Sequence, residues 1–101
     1  MPKWILGALV AIAASSGVAN AEVREFSRPR IDGMRLDWCL TWAQNCGRPA
    51  ASAFCRRRGY DYAEDFAKES GVGDYEPTRL ITGATCGESF CTGFAYITCG
   101  R

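Results

Sequence analysis

Hydrophobic positions change their spacing several times along this chain, and each spacing predicts a different element. An unbroken apolar run, Ile5 to Ala14, follows Lys3 and gives way to Ser15-Ser16-Gly17. Val18-Ala19-Asn20-Ala21 then sets small residues at the two positions a signal peptidase reads, so residues 1–21 are expected to be a secretory signal cleaved before Glu22. The run is shorter than the roughly 20 apolar residues that a membrane span requires. Residues 22–33 hold Arg24, Arg28, Pro29 and Arg30 without apolar periodicity, and are expected to form a flexible N-terminal arm.

Strict alternation begins at Met34. Met34, Leu36, Trp38 and Leu40 fall on one face and Arg35, Asp37 and Cys39 on the other, the pattern of a half-buried strand. A helix is predicted from Pro49, suited to a first helical turn, to Gly59, suited to the position after the last. Ala51, Phe54, Cys55 and Arg58 recur at helical spacing between them, and Arg56 to Arg58 complement the dipole at its C-terminal end. Asp61-Tyr-Ala-Glu64 has the form of a capping box, which predicts a short helix towards Gly71; Tyr60, Tyr62 and Phe66 fit an irregular extended segment equally well. Thr78 to Gly83 and Cys91 to Cys99 read as strands, the second with Phe94, Tyr96 and Thr98 on one face and Ala95, Ile97 and Cys99 on the other. The segment joining them reads as a clipped hairpin connection.

Removing residues 1–21 leaves 80 residues, enough for one domain. A core of that size supplies only about 3–5 kcal/mol, so the fold needs staples. Cys39, Cys46, Cys55, Cys86, Cys91 and Cys99 are available. An even count in a short exported chain implies disulfides, each contributing about 2–4 kcal/mol. Zinc is the competing use, since Cys86 and Cys91 have ligand spacing, but the chain holds no histidine and no C-x2-C pair. Six cysteines allow 15 connectivities, and sequence does not choose among them. Local geometry points to Cys86–Cys91 across a four-residue loop and to Cys55–Cys99 between helix and strand, which leaves Cys39–Cys46. The architecture expected is α+β, a small disulfide-rich domain over residues 34–101 with one main helix packed on a small antiparallel sheet.

The strings RLDWCLTWAQNCGRPAASAFC, GY, PTRLITGATC and CTGFAYITC resemble a family of small secreted six-cysteine domains of bacteria and plants. The shared pattern runs R-L-D-W-C, W, N-C-G, A-A-x-x-F-C and C-x4-C-x-G-F-x-x-I-T-C, and the likeness covers Arg35 to Cys99 with all six cysteines. It implies an independently exported, disulfide-bonded domain and carries over no catalytic or binding residue.

Charge and chemistry narrow the function. The whole chain carries 12 Lys and Arg against 11 Asp and Glu; loss of Lys3 with the signal leaves 11 against 11. A neutral domain lacks the field that attracts nucleic acid or an anionic membrane. Without histidine, Ser-His-Asp and Cys-His catalysis are closed, and without C-x-x-C so is the usual disulfide-exchange site. Asp61, Glu64, Asp65 and Glu69 could form a carboxylate pair for glycoside hydrolysis, but acidic residues in a first helical turn already have a structural reason. No catalytic residue, metal or cofactor is implied. Aromatic residues are the remaining signal: Trp38, Phe54 and Phe94 are assigned to the core, whereas Trp42, Tyr62, Tyr75 and Phe90 sit on links and loops as candidate binding residues. The function expected is an exported, secreted or periplasmic, binding or interaction module for a carbohydrate or an extracytoplasmic protein. A secreted inhibitor or effector acting through an exposed loop is the alternative, and a carboxylate-based hydrolase ranks below both.

Overall fold

A computed structural model describes residues 22–101; the expected signal, 1–21, lies outside them. The domain is α+β, with one α-helix and three small sheets joined by three disulfides. Its centre is a three-stranded antiparallel sheet in the order β1 (Val23–Ser27), β9 (Gly93–Gly100), β6 (Tyr62–Glu69). Helix α1 (Arg48–Arg57) buries Ala50, Ala51, Phe54 and Cys55 against one face of that sheet. Pro49 stands in its first turn, Gly59 follows its end at φ 89°, and Cys55–Cys99 ties it to β9, as the spacing predicts. A second sheet runs β2 (Arg30–Ile31), β3 (Met34–Leu36), β7 (Thr78–Arg79), β8 (Thr85–Cys86), with β3 and β7 parallel. Strands β4 (Cys39–Thr41) and β5 (Gln44–Cys46) make a separate hairpin closed by Cys39–Cys46.

Several elements depart from the sequence pattern, each for an identifiable reason. Residues 22–33, expected as a flexible arm, hold β1 and β2. The edge of β9 pairs with all of β1, from Val23 opposite Gly100 to Ser27 opposite Tyr96, and Phe26 packs edge-on against Phe54 and Tyr60. The segment after Asp61 is a strand and not a short helix. Two irregularities disguise it: the ladder with β9 slips between Ala63 and Asp65, and again opposite Ala95. The first brings Ala63 and Phe66, three residues apart, to the same core face, which in sequence mimics a helical step. Side chains of α1 satisfy the backbone there, since Arg48 donates to the Ala63 carbonyl at 2.7 Å and the Ala63 N–H donates to Ser52 Oγ at 3.3 Å. The second slip changes the face of β9, so Phe94 joins Ile97 and Cys99 in the core while Tyr96 and Thr98 face outward.

The strand expected over 34–40 is interrupted at Asp37-Trp38, where the chain leaves β3 for the hairpin. Of the strand expected over 78–83 only Thr78–Arg79 is paired, because the Gly83 N–H donates to the Leu80 carbonyl and turns the chain into β8. The Cys86–Cys91 loop therefore joins strands of two different sheets and is not a hairpin connection.

Candidate functional site

Two short loops, each closed by its own disulfide, each carry one exposed aromatic ring. In the first, Cys39 pairs with Cys46 and Thr41 with Gln44, leaving Trp42-Ala43 as the hairpin tip. Ala43 takes φ 58°, a left-handed conformation unusual for a residue with a Cβ and one that recurs at functional loops. Trp42 is left 54% exposed. In the second, Cys86–Cys91 encloses Gly87-Glu88-Ser89-Phe90, the Cys91 N–H donates to the Glu88 carbonyl at 3.0 Å, and Phe90 is 68% exposed. Gly73, in the 3-10 turn Val72–Asp74, packs so closely beneath this loop that its N–H donates to the Cys91 carbonyl at 3.0 Å.

Trp42 and Phe90 line one groove of about 170 Å³, floored by Asp37, Trp38, Leu80 and Thr92. Its floor is fixed. Asp37 accepts from Thr78 Oγ1 at 2.5 Å and from the Cys39 N–H at 2.9 Å, so both carboxylate oxygens fix the chain where it leaves β3. Trp38 stacks obliquely on Phe94 at 4.8 Å and on Phe66 at 5.8 Å between ring centres, which anchors the groove to the main core. The volume is below the roughly 300 Å³ of a drug-sized pocket, and suits a single ring or side chain of a larger partner. Loops held by disulfides lose little freedom on binding, which favours affinity for a given contact area.

The other two candidates are elsewhere. Tyr62, 43% exposed, lies on the outward face of the sheet beside Gly100. Tyr75, 62% exposed, sits with its hydroxyl 3.5 Å from Arg35 Nη1. The acidic cluster is spread from Asp61, just before β6, along that strand, and Asp65 and Glu69 are engaged there. Asp65 accepts from the Tyr96 hydroxyl at 2.9 Å, which pushes Tyr96 above its ordinary ionisation range. Glu69 accepts from Arg35 at 2.5 Å; that hydrogen bond holds its carboxyl below the usual range, against partial desolvation.

Arg35 itself escaped the sequence pattern, which set it on a polar strand face. It is 1% exposed and also donates to the Phe94 carbonyl at 2.9 Å. Burial alone would lower its pKa, but hydrogen bonds to Glu69 and Tyr75 outweigh this and raise it, so the guanidinium stays charged. Arg35 thereby clamps β3 to β6 and β9. Asp37, Leu80 and Thr92 were missed as groove residues because nothing in their spacing brings three separate loops together.

Among the described residues no group of three or more Asp, Glu or Cys is placed to hold a metal ion, and no helix is long and apolar enough to cross a membrane. Comparison with family models, with curated proteins and with solved structures gives no match.

Proposed function

We propose that this chain is an exported binding module whose recognition surface is the groove between Trp42 and Phe90. One observation carries it: two exposed aromatic rings stand on separate loops, each stiffened by its own disulfide, and converge on one concavity. Solvent-facing rings on rigid loops bear a cost that packing does not explain, since neither ring closes the main core. A groove for one ring, with Thr92 on its floor, favours a sugar ring stacked between Trp42 and Phe90 within a longer glycan. Disulfides and the secretory pattern of residues 1–21 support action outside the cytoplasm, secreted or periplasmic.

Two measurements test this. Intact-mass analysis of the exported protein should begin at Glu22, and retention of Met1 to Ala21 in the exported form would contradict the processing. Screening the oxidised protein on an immobilised oligosaccharide panel should give retention that Trp42→Ala and Phe90→Ala both weaken. An inhibitor acting through the Cys86–Cys91 loop is the second reading, favoured by the exposure of Phe90. It requires retention by a protein partner that depends on Phe90 and is indifferent to Trp42.

A further inference from the structure

The acidic and basic side chains of residues 22–101 balance in number but not in place. A second concavity of about 500 Å³ shares no residue with the aromatic groove; Arg24, Arg28, Arg30 and Arg58 surround it over Phe26 and Phe54. Arg28 and Arg30 are partly compensated, at 3.9 Å from Glu69 and 3.1 Å from Glu76. Arg24 and Arg58 are not: among the described residues no carboxylate comes within 4.0 Å of either. Glu25, also on the rim, stands on β1 opposite Thr98, and its charge is felt by Tyr96 on the outward sheet face.

Aromatic rings fix where the two free charges sit. The Arg24 guanidinium lies 4.7 Å from the centre of the Phe26 ring, and that of Arg58 5.5 Å from the same ring and 4.9 Å from Phe54. Arg58 is held further by donating to the Arg30 carbonyl at 2.9 Å. Both charges being within 5.5 Å of one point, they are no more than about 10 Å apart, one Debye length at 0.1 M salt, so their fields overlap. Two guanidinium groups lining one concavity match an oxyanion that accepts paired hydrogen bonds. A monocarboxylate would offset one of them, whereas a phosphate monoester carries about −1.5 to −2 at pH 7 and offsets both. Phe26, half-buried over the fully buried Phe54, supplies an apolar floor for whatever bears the phosphate.

We propose that this concavity binds a phosphate monoester on a compact, partly apolar body, clamped between Arg24 and Arg58. The test is calorimetric titration of the oxidised protein with phenyl phosphate, alongside phenylacetate and vesicles containing phosphatidic acid. Phenyl phosphate should bind, and Arg24→Gln should weaken it about 10-fold or more, the loss of one hydrogen bond to a charged group. Arg24 is exposed and Arg56 lies outside the concavity, so Arg24→Gln should fold normally and Arg56→Gln should leave affinity unchanged. Affinity should fall as pH drops through about 6, where the phosphate loses its second charge. No binding at millimolar phenyl phosphate, an equal loss in Arg56→Gln, or phenylacetate binding as tightly would each overturn the proposal. Vesicle binding that depends on Arg24 while phenyl phosphate fails to compete would overturn it in favour of a membrane surface.

Discussion

Replacing Gly73 by alanine puts a methyl group where the chain leaves no space. A Cβ at this position overlaps the Glu88 carbonyl oxygen outright and comes to 2.9 Å from both Cys91 N and Ser89 O. All three are backbone atoms of a loop closed by Cys86–Cys91, so no side chain can swing aside. Relief requires the loop to lift from the Val72–Asp74 turn, breaking the bond from the Gly73 N–H to the Cys91 carbonyl. Overpacking of this kind costs about 1–3 kcal/mol and the lost hydrogen bond about 0.5–1.5 kcal/mol, giving roughly 1.5–4.5 kcal/mol together. In a domain of this size each kcal/mol lowers Tm by roughly 4–8 °C, so the loss is at least about 6 °C. Gly87→Ala is the matched control on the same loop, because its Cβ meets nothing within 4 Å; it should change stability by less than about 0.5 kcal/mol. Thermal unfolding followed by near-ultraviolet circular dichroism measures both. Equal melting temperatures for the two variants would refute the seating of the Phe90 loop on the turn.

Acid should weaken the clamp at Arg35. The folded pKa of Glu69 is lowered, so its contribution is complete above its unfolded value near 4.5 and is lost as pH falls through the folded value; Glu69→Gln should lose stability at pH 7 and flatten the acid limb of a pH–stability curve. Removing the charge at pH 7 should cost roughly 1.5–3 kcal/mol, a hydrogen bond to a buried charged group, measured by urea unfolding. Ala43→Gly should raise stability by about 0.5 kcal/mol, because relief of the left-handed strain slightly exceeds the added freedom of the unfolded chain. Trp38→Ala should cost about 3–5 kcal/mol and Trp42→Ala no more than about 0.5 kcal/mol, since one ring is packed on Phe94 and Phe66 and the other faces solvent.

The contrast between those two tryptophans marks where the sequence was legible. Local signals were: Pro49 and Gly59 bound the helix, the short loop brings Cys86 to Cys91, and helix and strand bring Cys55 to Cys99, leaving Cys39 for Cys46. Period-two alternation served only until a bulge intervened. At Ala95 a slip of one residue reversed which side of β9 is buried, and near Glu64 a slip turned a strand into the likeness of a helix. The edge strand β1 was illegible because only Val23 and Phe26 are apolar, three residues apart and off the period of a strand, and it pairs through its backbone. Trp42 and Phe90 were selected for lying on loops, a criterion that also chose Tyr62 and Tyr75; only long-range packing through Gly73, Asp37 and Trp38 separates the pair that meets from the pair that does not. Charge segregation was hidden for a related reason, since Arg24 and Arg58 are 34 positions apart and both lie against the Phe26 ring.

The groove is tested most directly by a double-mutant cycle on Trp42 and Phe90, read as affinity for an oligosaccharide retained by the wild-type protein. If both rings hold one sugar ring, removing either leaves less for the other to contact, and the two losses should be non-additive by at least about 0.5 kcal/mol, with Tyr62→Ala and Tyr75→Ala additive to each. Additive losses from Trp42→Ala and Phe90→Ala, or affinity untouched by either, would contradict recognition at this groove.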